Sequence, residues 1–176
     1  MRAPEYGSEA TTPPFQPPRL AQRQVPYDVE PGAVLFCGGT AMYRWITLAD
    51  DLCQWDTANL GFAGATLKEW NSDVDRLLPP LAPRAVVFSA TGDDAGSGTT
   101  AEEIVHYLQG IVGRVRSTVG AIPIIWLINR DPLMREAQRL GQYLTERWRN
   151  VMVLECTEDE WAPTVQVALA TAGVAP

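Results

Sequence analysis

From residue 33 onward the apolar positions follow two alternating rhythms. Short, β-branched-rich apolar runs fall at 33–37, 57–60, 85–89, 122–128 and 151–154. Runs of this length bounded by turn residues predict buried strands. Between them the apolar positions recur every three or four residues, the spacing of a helix with one buried face. This predicts helices at 41–53, 67–78, 100–119, 132–149 and 163–172. Met42, Trp45, Ile46 and Leu48 are the apolar positions of the first, and Pro79-Pro80 closes the second. In the third, Ile104, Leu108, Ile111, Val112 and Val115 form the inner face. Thr100 with Glu103 three residues on has the spacing of a capping box. No internal repeat interrupts the pattern.

Strands alternating with helices of roughly 10–18 residues predict a parallel sheet covered on both faces. The expected fold is therefore α/β, a three-layer α/β/α sandwich on five parallel strands. Such sheets bind ligands beyond the carboxyl ends of their strands. The loops that matter are then 38–40, 61–66, 91–99, 129–133 and 155–162.

Residues 1–32 break the rhythm. They hold seven of the 14 prolines, and proline suits neither helix interiors nor central strands. The expected division is a proline-rich arm at 1–32 and one domain at 33–176. Phe15, Leu20, Val25 and Tyr27 are candidates to pin the arm's later half to the body or to a protein partner, and a partly disordered tail is the alternative.

Composition narrows the picture. A chain of 176 residues that is 46% hydrophobic can bury a core without disulfides. Its three cysteines, Cys37, Cys53 and Cys156, lack Cys-x-x-Cys spacing, which disfavours a disulfide framework or a zinc site. A reducing, cytoplasmic setting is expected. No apolar leader or membrane-length run is visible. The charge, 14 − 21 = −7, disfavours nucleic acid and anionic membranes. It suits a cationic substrate or a basic partner. The loop TGDDAGSGTT is rich in glycine and hydroxyls but lacks a P-loop lysine. Its aspartates would repel phosphate unless magnesium bridged them, so neither cofactor nor metal is expected.

The five loops carry motifs in a set order. VLFCGGTAMYRW joins the first strand to the next helix, and NLGFAGATL follows the second strand. PRAVVFSATGDDAGSGTTAEEI spans the third, INRDPLMR follows the fourth, and the acidic run 155–160 leads to Pro163. In these motifs the chain resembles the SGNH/GDSL hydrolase family over about residues 30–170. Gly38, Gly39 and Thr40 fall on the family's Gly-Asp/Ser-Ser triplet, with Trp45 on the tryptophan that follows. Asn59, Gly61 and Gly64 match Asn-x-Gly-x-Gly-Gly-x-Thr, where Ala63 replaces a glycine. Thr91, Gly92, Asp93 and Asp94 occupy Gly-x-Asn-Asp, and Arg135 matches a common arginine. Alignment of Pro163 with the last block, Asp-x-x-His-Leu-x-Pro, puts Thr157 at the aspartate and Glu160 at the histidine.

The resemblance implies the family's sandwich fold, but the reacting groups have changed. Thr40 stands for the nucleophile serine, and the Gly64 N–H for the first oxyanion donor. Asp93 replaces the amide that would be the second donor. A carboxylate donates no hydrogen bond and repels an oxyanion, and losing one donor alone costs about 10²–10³ in rate. The only histidine, His106, lies off the inner face of its helix and is expected at the surface. A Ser-His-Asp mechanism has no base of the usual kind here.

The candidate catalytic residues are therefore Asp93, Glu160 and Thr40. Gly39, Gly64, Asp94 and Trp161 are candidates for substrate binding. Thr40 has a competing reading as a helix cap, and Asp94 one as a turn former. An acidic pocket stabilises ammonium, and neighbouring carboxylates raise one pKa toward a usable base. The implied function is a repurposed, non-hydrolytic enzyme acting on an amine-bearing small molecule, free or carrier-bound, in natural-product biosynthesis. Intramolecular cyclisation on a carboxylate base is the expected chemistry. SGNH-like proteins without hydrolytic residues occur in such pathways, the aziridine-forming cyclase of azinomycin-type biosynthesis among them. A weak esterase built on Thr40 and a scaffolding subunit without turnover are the alternatives.

Overall fold

The structure is a computed structural model. It describes residues 20, 23–24, 28–90 and 92–176, with the side chains of 142–147 left aside. Phe15, Val25, Tyr27, Thr91 and most of the predicted arm lie outside the described residues.

Five strands form one sheet: β1 (Val34–Cys37), β2 (Thr57–Asn59), β3 (Ala85–Ala90), β4 (Ile124–Ile128) and β5 (Val151–Glu155). Their order across the sheet is β2-β1-β3-β4-β5, and every pairing is parallel. Val34 pairs with Thr57 on one side and Ala85 on the other, which sets the central register. The helices are α1 (Thr40–Arg44), α2 (Leu48–Asp51), α3 (Leu67–Leu77), α4 (Gly92–Gly96), α5 (Ala101–Thr118), α6 (Pro132–Arg147) and α7 (Trp161–Thr171).

Side-chain alternation along each strand feeds two cores. Leu35, Cys37, Val86, Phe88, Ile124 and Trp126 pack against α3, α5 and α6. Val34, Phe36, Val87, Ile125 and Leu127 pack against α1, α2 and α7. These are the two outer layers expected from the apolar pattern. Thr66 caps α3 and Thr100 caps α5, each in a capping box with the glutamate three residues on. Leu20 is fully buried in the first core.

Several element boundaries differ from the sequence pattern, and one short helix is new. The helix expected at 41–53 is two short helices, α1 and α2. Asn59 Nδ2 donates to the carbonyls of Met42 and Trp45, where the Trp45 and Leu48 N–H groups close short turns on the same two oxygens. Strand β4 begins at Ile124, because Pro123 has no N–H to contribute. Helix α7 begins at Trp161, and Pro163 is accommodated in its first turn, where no donor is required. A short helix, α4, forms in the loop after β3.

Candidate functional site

The carboxyl ends of β1 and β3, with the loop after β2, converge on one point. Strand β1 runs into Gly38-Gly39, both buried, and Thr40 is the first residue of α1. The N-cap is Gly39, which makes no side-chain cap bond. Thr40 therefore does not cap the helix, and its side chain is turned elsewhere.

It is turned to Asp93, on α4. The Thr40 N–H donates to Asp93 Oδ2 at 2.6 Å, and Thr40 Oγ1 donates to Asp93 Oδ1 at 2.9 Å. From the other side, the Gly64 N–H donates to Thr40 Oγ1 at 2.8 Å. One carboxylate thus spans the amide and hydroxyl of one residue, and a second loop supplies a donor to that hydroxyl. Thr40 and Asp93 are half-buried, and Gly64 is exposed.

Two glycines make this convergence sterically feasible. A Cβ on Gly39 would sit 2.1 Å from Asp93 Oδ2 and 2.6 Å from the Ala65 carbonyl oxygen. Gly64 has φ +79, a conformation that L side chains rarely adopt. Gly38 is held through its carbonyl, which accepts from Trp70 Nε1 at 3.1 Å.

The remaining candidates fall elsewhere. Asp94 is 2% exposed, and its Oδ1 accepts from the Leu67 N–H at the start of α3. It anchors a helix and is not open to a ligand. Trp161 is 4% exposed and packs on Trp45 with ring centroids 5.4 Å apart. It belongs to the second core, so it offers no face to a substrate. His106 is exposed, as its position off the inner face of α5 predicts.

Glu160 has local partners. Its Oε2 accepts from the Thr157 N–H at 2.9 Å and from Arg130 at 3.0 Å. Arg130 also lies 3.8 Å from Glu155, which pairs with Arg135 at 3.4 Å. The bonds from the Thr157 backbone and side chain, with the Arg130 charge, hold the Glu160 carboxyl below its usual range. Of the two carboxylates expected to supply a raised base, Glu160 is shifted the other way: these donors favour its charged form and make it a weaker base.

Two residues gain importance that sequence reasoning did not assign. Asn59 donates to α1 and its Oδ1 accepts from the Gly61 N–H at 2.8 Å, so it ties the Gly64 loop to Thr40's helix. Its place in the second motif was the available signal. Arg130 lies in the INRDPLMR motif, but that motif does not reveal its partners, which are 25 and 30 residues away. Among the described residues no group of three His, Cys, Asp or Glu could hold a metal ion. Among them, too, no helix is long and apolar enough to cross a membrane.

A five-stranded parallel sheet with this helix order, and a site at the ends of β1 and β3, defines the SGNH-hydrolase type of α/β fold. The chain belongs to the GDSL-like lipase/acylhydrolase family, which it matches over residues 11–172. Solved structures agree on the fold. AlinE4, an SGNH-hydrolase family esterase, is 20% identical, with a TM-score of 0.58 over 70% of this chain and 75% of that one. Axe2, an acetylxylan esterase from Geobacillus stearothermophilus, is 13% identical, with a TM-score of 0.56 over 78% of this chain and 82% of that one. A Streptococcus pneumoniae protein provisionally described as a platelet activating factor is 16% identical, with a TM-score of 0.62 over 73% of this chain and 67% of that one. No curated protein matches the chain.

Proposed function

We propose that this protein uses the Thr40–Asp93 centre to bind an amine-bearing small molecule and promote its intramolecular cyclisation, and that ester hydrolysis is not its reaction. One observation carries the reading. The Asp93 carboxylate sits on the Thr40 N–H and hydroxyl, where acyl transfer would need donors turned toward a developing oxyanion. The Gly64 N–H is likewise engaged, by Thr40 Oγ1. Negative charge at this point opposes a tetrahedral oxyanion and favours an ammonium group.

Asp93 is the base in this scheme. The proton passes from the ammonium to Asp93. The freed nitrogen lone pair forms a C–N bond to a carbon of the same molecule, and the leaving group departs with the electrons of its own bond. Glu160 suits the role less well, since the bonds from Thr157 and the Arg130 charge make it a weaker base. Whether the amine arrives free or on a carrier, and whether the product is a natural product, extend this proposal beyond the site itself.

A second reading has its own observation. Thr40 Oγ1 donates to a carboxylate and accepts from the Gly64 N–H, the posture of an activated nucleophile. It predicts slow ester turnover that Thr40→Ala abolishes.

The deciding experiment uses benzylamine binding and hydrolysis of p-nitrophenyl acetate, with Asp93→Asn checked for folding. The expected result is amine binding that weakens about tenfold or more in Asp93→Asn, the scale of one charge-assisted hydrogen bond. The wild type is expected to be inert toward the ester, and the variant to gain slight turnover through its new amide donor. Equal amine binding in both proteins overturns the proposal. Wild-type ester turnover that is lost in Thr40→Ala establishes the esterase instead.

A further inference from the structure

We infer that Arg23 is a positioning residue of this site, fixing the loop that delivers the Gly64 N–H to Thr40. The inference rests on the reading that Thr40, Gly64 and Asp93 form the working centre.

The loop after β2 has its amides satisfied from within the domain. Leu60 N–H donates to the Phe36 carbonyl at 2.7 Å, and Phe62 N–H to the Gly38 carbonyl at 3.0 Å. Gly61 N–H donates to Asn59 Oδ1 at 2.8 Å. The carbonyls of Leu60 and Gly61 are held by a different group. Both accept from Nη1 of Arg23, the Gly61 oxygen at 2.9 Å. The Arg23 guanidinium also lies 6.0 Å from the centre of the Phe62 ring. A guanidinium presents its donors in a rigid plane. One nitrogen bonded to two successive carbonyls therefore constrains the orientation of both peptide units, just before the turn that ends at Gly64.

Arg23 is itself held in place. Arg76 on α3 donates to the Arg23 carbonyl at 2.7 Å and to the Leu20 carbonyl at 3.3 Å. Asp73 fixes Arg76 at 2.9 Å, and Leu20 is fully buried. Hydrogen bonds thus run from α3 through Leu20 and Arg23 to the Gly64 loop, and from there to Thr40 and Asp93. Burial of Leu20 alone would anchor this part of the chain. The two carbonyl bonds add control over a loop that bears a site donor.

The test is amide hydrogen exchange by NMR on the full chain, without ligand, for wild type and Arg23→Ala. Loss of two charge-assisted bonds is expected to speed exchange at Gly61 and Gly64 by roughly tenfold or more. It is also expected to shift the Gly64 amide resonance. Val87 and Ile125, in the central strands, should keep their rates. Arg23→Lys, whose ammonium reaches one carbonyl, should recover part of the protection, and it serves for the comparison if Arg23→Ala does not fold. An unmoved Gly64 amide overturns the inference, and so does equal acceleration at Gly64 and Val87, which marks global destabilisation only. A benzylamine titration of the same samples separates the two claims. Gly64 responding to Arg23→Ala in a protein that binds no amine supports the positioning role and removes the amine reading. Amine binding with an unmoved Gly64 does the reverse.

Discussion

A methyl group at Gly39 would collide with Asp93 Oδ2 and with the Ala65 backbone, and backbone cannot yield as a flexible side-chain end can. Gly39→Ala should therefore cost about 1–3 kcal/mol, the usual range for overpacking. Gly113, midway along α5 and exposed, has nothing within 4 Å of its hypothetical Cβ. Gly113→Ala should stabilise by about 0.5–1 kcal/mol through helix propensity alone. Urea denaturation of both variants checks the contrast, and a neutral Gly39→Ala would contradict the tight approach at the site. Thr40, Gly64 and Asp93 were recognisable in sequence because each follows a strand within a motif. Their mutual bonding was not, because 53 residues separate Thr40 from Asp93.

At the scale of elements, local signals were read well and shared groups were not. The capping box at Thr100 and Glu103 is a four-residue pattern, and it stands where its spacing put it. The single helix expected at 41–53 is two helices, and Asn59, on another element, bonds the two carbonyls at which the ladder gives way to short turns. The turn before α7 carries a pH prediction. Hydrogen bonds from Thr157, then the Arg130 charge, depress Glu160. Bonds from Trp45 and Thr47 depress Asp51. A carboxylate with a depressed folded-state pKa adds stability that is present above its unfolded value, near 4, and is lost as pH falls through the folded value. The melting temperature should drop with acidification in that window. In Glu160→Gln the drop should be shallower, and an identical pH profile would show that these bonds contribute nothing to folding.

The described part of the molecule is two apolar layers around a sheet, and Leu20, far ahead of the first strand, takes part in one of them. Leu20 is fully buried beside α3. Leu20→Ala should cost about 2–5 kcal/mol, as for other buried leucines, with the urea midpoint falling at unchanged slope. A change under about 0.5 kcal/mol would mean that Leu20 is not part of the cooperative core. The α/β/α architecture was legible because a sheet buried on both faces demands continuous apolar strands, and helices of one-sided character to cover them. Those demands are local and periodic.

The sequence by itself determined the five strands, the longer helices, the parallel sheet and the loops where a site would form, since hydrophobic period, proline position and capping spacing act within a few residues. Only the tertiary structure decided what the side chains do. It made Thr40 a donor to Asp93 and not a helix cap, withdrew Asp94 and Trp161 into the interior, and gave Glu160 to Thr157 and Arg130. It also brought Arg23 onto the loop of Gly64. These outcomes depend on which distant group reaches a donor or acceptor first, and no spacing along the chain encodes that competition.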